Sequence, residues 1–99
     1  MEWSLYLVRR ADGALYTGIA RDVERRLEQH RAGRGAKALR GRGPLEIAYQ
    51  IAVGEQGVTL ALEHRIKRLP KEEKERIVAG APKLAALLEK FDLSAEKAR

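Results

Sequence analysis

Apolar positions along the chain change their period repeatedly, and each change marks an element. Trp3 to Val8 reads WSLYLV, rich in aromatic and branched residues. ALYTGI, Ala14 to Ile19, follows the Asp12-Gly13 pair that favours a tight hairpin. Two antiparallel strands are expected, about Trp3 to Arg9 and Ala14 to Ile19, with Tyr6 and Tyr16 on one side or on opposite sides according to register. From Asp22 the period lengthens to that of a helix. Asp22 is a good N-cap, because its carboxylate accepts the unpaired N–H groups of the first turn, and Gly33 ends the helix. At about 100° per residue, Val23, Leu27 and His30 share a stripe. Arg26 lies at its edge, one turn before His30, while Arg25, Glu28 and Gln29 point elsewhere.

LEIAYQIAV, Leu45 to Val53, reads as a third strand, broken by GEQG. Val58, Leu62, Ile66 and Leu69 then recur at helical spacing until Pro70 stops them. KEEKERIVAG and APKLAALLEKF are expected to form two more helices, and DLSAEKAR to fray. The sum is an α+β fold, a three-stranded antiparallel sheet made of the hairpin plus a third strand and flanked by helices. A single domain over residues 1–99 is expected, with its core at about 3–69, a helical extension at about 71–91 and a tail at 92–99.

Charge and composition narrow the function classes. With 20 Lys+Arg against 14 Asp+Glu, the net charge of +6 and pI near 10 favour a polyanionic partner. Arg31, Arg34, Lys37, Arg40 and Arg42 lie in one glycine-rich segment without an acid, suited to nucleic-acid phosphates. That segment carries neither G-x-x-x-x-G-K-[ST] nor G-x-G-x-x-G, so no nucleotide cofactor is expected. The absence of cysteine removes disulfides and thiolate metal sites, and His30 and His64 alone make no zinc set. No G-x-S-x-G marks a serine hydrolase. The N-terminal apolar run is too short for a membrane span and does not read as a signal peptide. A cytoplasmic protein without a membrane partner is expected, more readily monomeric than dimeric.

Taken one at a time, the polar candidates have ordinary structural roles. Tyrosines are common in strands, a glycine such as Gly18 at a strand end usually marks a bulge, and Arg26 and His30 suit a solvated helix face. Glu63 sits on the border of its helix's buried stripe, about 140° from Val58. A carboxylate there suits either a cation or an ion pair with Lys67 at i+4.

Their joint order is more specific. LYL at Leu5–Leu7, YTG at Tyr16–Gly18, RDVERRLEQH and ALEHRIK together resemble the GIY-YIG nuclease superfamily. GRGAKALRGRGPLE and KRLPKEEKERIV resemble its small stand-alone bacterial branch, the YhbQ-like proteins. This resemblance implies a phosphodiesterase acting on nucleic acid, DNA before RNA, in repair or processing. It implies Tyr6, Tyr16, Arg26, His30 and Glu63 as catalytic residues, Glu63 as the ligand of one Mg²⁺ or Mn²⁺, and Gly18 as a point of close backbone approach to substrate. The family's glycine and isoleucine before Tyr6 are replaced by Ser4 and Leu5. A lysine that some relatives carry after the YTG-equivalent glycine is Ile19 here, and an asparagine found in some relatives has no counterpart, since the chain contains none. The alternative is a binding module that keeps the fold and cleaves little. Chelator-insensitive, salt-dependent retention of DNA or RNA without products would mark it.

Overall fold

The computed structural model describes residues 2–41 and 43–93. The elements run β1 (Trp3–Arg9), β2 (Leu15–Ala20), α1 (Val23–Arg31), β3 (Glu46–Gly54), α2 (Gln56–Lys67), α3 (Lys71–Gly80) and α4 (Leu84–Lys90), with one 3₁₀ turn at Lys37–Leu39. The three strands form one antiparallel sheet in the order β2-β1-β3, giving the expected α+β architecture.

β1 is central, which explains why its sequence does not alternate. Leu5 and Leu7 point to one face and Tyr6 and Val8 to the other, and all four are at most 2% exposed. A strand covered on both sides reads as a continuous apolar run. On the first face, Leu5 and Leu7 pack with Leu62 and Ile66 of α2, Ile77 of α3 and Leu87 of α4. On the second, Tyr6 and Val8 pack with Val23 and Leu27 of α1 and with Leu39 and Leu45 from the loop that follows it. Burying each such aliphatic side chain contributes about 1.5–3 kcal/mol.

Local chemistry sets the joints. At the hairpin, Gly13 takes φ +88°, and backbone bonds join Arg10 and Ala14 beneath it. Asp22 caps α1, its Oδ1 accepting from Arg25 N at 3.1 Å. In β3 the register slips: Leu7 faces Tyr49, but Val8 faces Ile47. The extra residue, Ala48, makes a bulge that sends Ile47 into the α1 core and Tyr49 into the opposite one. GEQG is shorter as a break than its glycines suggest. Gln56 and Gly57 already belong to the first turn of α2, where a glycine is cheap because the turn's N–H groups lack intrahelical partners anyway. Arg9 ties the hairpin to α3 through two bonds to Glu75, 2.8 and 2.7 Å.

Candidate active site

The hairpin register decides where the tyrosines lie. Tyr6 faces Gly18 and Val8 faces Tyr16, so Tyr6, Tyr16 and Gly18 share the face covered by α1. A Cβ on Gly18 would lie 2.5 Å from Tyr6 Oη and 2.6 Å from Cζ. Glycine is required there because the Tyr6 ring lies across it. The side of Gly18 where a Cβ would project is occupied by this phenol.

From α1, buried His30 meets both aromatics. Tyr6 Oη and His30 Nε2 are 3.0 Å apart, and the Tyr16 and His30 rings meet edge-on at 5.9 Å. His30 is 2% exposed, and its Nδ1 has no hydrogen-bond partner among the described residues. Burial lowers the imidazole's pKa, with the Arg26 charge adding to the effect and the Arg34 backbone opposing it, so the ring is neutral at pH 7. A neutral ring offers Nε2 as either donor or acceptor to the phenol, according to tautomer.

The Tyr6 hydroxyl is where the other candidates converge electrostatically. Burial pushes it up to about 12, and the nearby Tyr16 adds to the rise. The Arg26 guanidinium opposes it, and the Glu63 carboxylate adds a smaller increase. Residues from β2, α1 and α2 thus act electrostatically on one hydroxyl of β1. Glu63 arrives because α2 packs against β1 and the edge strand β2 through Leu62 and Ile66. It is half-buried. Of the two partners its position suits, a cation or Lys67 at i+4, the Lys67 ion pair is not among those formed by the described residues.

Two residues near the site were not singled out in the sequence. Gln29 Oε1 accepts from Arg26 Nη1 at 2.9 Å, fixing the guanidinium on its helix. The i+3 spacing was a usable signal, although the helical wheel had set Gln29 apart. Gly35, at φ +88°, crosses above His30 and Arg26, and a Cβ there would come within 2.9 Å of His30 Nδ1. No sequence pattern announced that contact.

The basic loop divides. Arg31 is exposed and bonds to Glu28 at 2.8 Å and to the Leu45 carbonyl, which ties the end of α1 to the approach to β3. Arg34, Lys37 and Arg40 are exposed. Arg42 lies outside the described residues.

Among the described residues there is no group of three or more His, Cys, Asp or Glu able to enclose a metal. A single half-exposed carboxylate instead suits a hard cation that retains most of its waters and takes further oxygens from a phosphate. Glu63 is the residue able to hold it.

A model of the GIY-YIG catalytic domain matches residues 2–76. The chain belongs to the GIY-YIG family. Within that family it is 57% identical to a UPF0213 protein of Klebsiella pneumoniae over 87% of this chain and 81% of that one. It is 54% identical to the UPF0213 protein YhbQ of Escherichia coli O139:H28, over 87% and 86%. The solution NMR structure of a UPF0213 protein from Bacillus halodurans superimposes with a TM-score of 0.55 at 31% identity, covering 95% of this chain and all of that one. Membership of this GIY-YIG branch makes the chain a member of a nuclease family. No helix among the described residues is long and apolar enough to cross a membrane.

Proposed function

We propose that this GIY-YIG chain is a divalent-metal-dependent nuclease that hydrolyses phosphodiester bonds, with DNA as the first substrate to test. The observation that carries the reading is the 3.0 Å contact of Tyr6 Oη with His30 Nε2, with Tyr16 against the same imidazole; the charges of Arg26 and Glu63 act on that hydroxyl. Glu63 would hold one Mg²⁺ or Mn²⁺, which when bound supplies positive charge to a phosphate oxygen and acidifies the attacking water.

The remaining work falls to the chain's own groups. Arg26, fixed by Gln29, presents a planar fork of donors to phosphate oxygens and stabilises their charge as the bond breaks. Tyr6 positions the attacking water and takes its proton. With a pKa pushed up to about 12 even beside Arg26, the phenol is a poor base by itself, and a divalent cation held at Glu63 would lower it. His30, neutral and 3.0 Å away, is the acceptor to which Tyr6 passes its own proton. Tyr16 stands against the His30 ring and keeps it oriented.

The test is cleavage of labelled DNA with Mg²⁺ or Mn²⁺ by the wild type, Glu63→Ala and Arg26→Ala. Each substitution is expected to reduce the rate by about a hundredfold or more, the scale for removing a group that stabilises transition-state charge. Equal rates in all three would sink the proposal. Salt-dependent binding without products, insensitive to chelator, would leave a binding module in its place.

A further inference from the structure

A proton path from Tyr6 to His30 requires Nε2 to accept, and a neutral imidazole accepts there only when its own hydrogen sits on Nδ1. Which ring nitrogen carries the hydrogen is set by what the other one faces. His30 Nδ1 is shut off from water, so the chain itself supplies those surroundings.

The end of α1 builds them. Gly33 takes φ +79° and closes the helix in a Schellman turn: its N–H donates to the His30 carbonyl at 3.1 Å, and the Arg34 N–H donates to the Gln29 carbonyl at 2.9 Å. The chain reverses there, and Gly35, at φ +88°, is laid back over the helix. A Cβ on Gly35 would stand 2.9 Å from His30 Nδ1, 3.0 Å from Cε1 and 3.4 Å from Arg26 Cζ. The backbone at Gly35 therefore covers the Nδ1 edge of the ring, more closely than a residue with a side chain could. Of the other groups facing the imidazole, Tyr6 is engaged at Nε2 and Tyr16 presents its ring. Arg26 has only donors, with Nη1 turned to Gln29 Oε1. Its charge favours a bare Nδ1, whereas the Arg34 carbonyl, in the peptide bond to Gly35, favours a hydrogen there. In the free protein this carbonyl is not aligned into a hydrogen bond with Nδ1. Rotation about Gly35 would align it, and a phosphate bound at Arg26 would offset the opposing charge.

We infer that the Arg34–Gly35 peptide is a positioning element of the site: laid over His30 by the turn at Gly33, it keeps the imidazole's hydrogen on Nδ1 and leaves Nε2 bare to take the proton of Tyr6. The protons balance. Water gives one to the Tyr6 oxygen, the proton that oxygen held moves to Nε2, and the imidazolium so formed donates Nδ1–H to the Arg34 carbonyl until Nε2 returns its proton to water through Tyr6. The inference rests on the reading of Tyr6 and His30 as part of a nuclease site.

NMR of the ¹⁵N-labelled full chain, at a pH where His30 is neutral, identifies the tautomer from the two ring-nitrogen shifts, and His64→Gln removes the other histidine's signals. Wild-type His30 is expected to carry its hydrogen on Nδ1. Gly35→Ala drives a Cβ against Nδ1 and is compared with Gly41→Ala, which imposes the same kind of backbone strain at φ +62° with nothing within 4 Å. Gly35→Ala should move the hydrogen towards Nε2 and lower kcat by about a hundredfold, the scale of a general acid–base group, with KM within about twofold of wild type. Gly41→Ala should leave tautomer, kcat and KM as they are. A wild-type hydrogen on Nε2 would overturn the inference whether or not the variants fold. So would an equal shift in Gly41→Ala, or a fall in kcat for Gly35→Ala at an unchanged tautomer, which would assign the loss to its contact with Arg26. Absence of metal-dependent products from the wild type would overturn the nuclease reading, while the tautomer still judges the peptide.

Discussion

The two faces of the sheet are buried to a similar depth but treat polar atoms differently. Against α2–α4 lie Leu5, Leu7, Leu62, Ile66 and Leu87, none more than 1% exposed. The polar atoms on that side are small hydroxyls: that of Thr59 donates to the Glu55 carbonyl of its own helix, and that of Thr17, opposite Leu7, is buried without a hydrogen-bond partner among the described residues. Against α1, Tyr6 and His30 are equally dry, but they bond to each other and feel charges from three further residues. A buried polar pair with one ring nitrogen left unpartnered is a costly way to fill a core. The contrast teaches a division of labour: one face supplies cooperative stability, and the other holds polar groups in a dry, preset geometry that chemistry can use.

Substitutions on either face should therefore separate stability from activity. Leu62→Ala, at a side chain with no exposure, is expected to cost about 2–5 kcal/mol in denaturant unfolding. Cleavage per folded molecule should stay within about twofold of wild type; a large activity loss without unfolding would break the comparison. Gly18→Ala forces Tyr6 off its seat and should cost about 1–3 kcal/mol through overpacking. Cleavage should drop as far as in Tyr6→Phe, and a fully active Gly18→Ala would mean that the seat is irrelevant.

Titration sharpens the contrast further. The folded pKa of Tyr6, about 12, lies above its ordinary 10, so its contribution to stability is present below pH 10 and is lost as pH rises from 10 towards 12. Alkaline unfolding of wild type and Tyr6→Phe should diverge in that window, with the variant lacking this loss. His30 has the opposite sign: its folded pKa is depressed, so stability falls as pH drops below 6.5, where the unfolded chain takes up the proton. Cleavage should fall with it as the ring loses its capacity to accept, and an acid limb unchanged in His30→Gln would remove His30 from the proton path. The smallest expected effect belongs to the partly buried bridge on the other face. Glu75, held down to about 2 by Arg9 and then Lys71, supports stability above its ordinary 4.5 and loses that support as pH falls from 4.5 towards 2. Arg9→Gln should flatten this limb in acid-melting curves and leave cleavage alone.

Much of this was legible in sequence wherever the cause is local. β1 and α3 match their expected ranges, Asp22 caps α1 as its position predicts, and Asp12-Gly13 turns the hairpin. The expected set of Tyr6, Tyr16, Arg26, His30 and Glu63 came from their joint order, which no residue reveals singly. The bulge at Ala48 was not legible, because nothing in LEIAYQIAV marks the place where the register slips. Nor was the bonding of Arg31 to Glu28 and Leu45, which depends on where the loop returns to the sheet.

The sequence by itself determined the hairpin, the helix starts, the apolar stripes and the positive balance, since each follows from propensities and periods acting over a few residues. Tertiary structure alone decided that Tyr6 would lie over Gly18 and that Gly35 would cross His30. Those outcomes depend on strand register and helix docking, where a shift of one residue or a fraction of a turn changes which side chains meet.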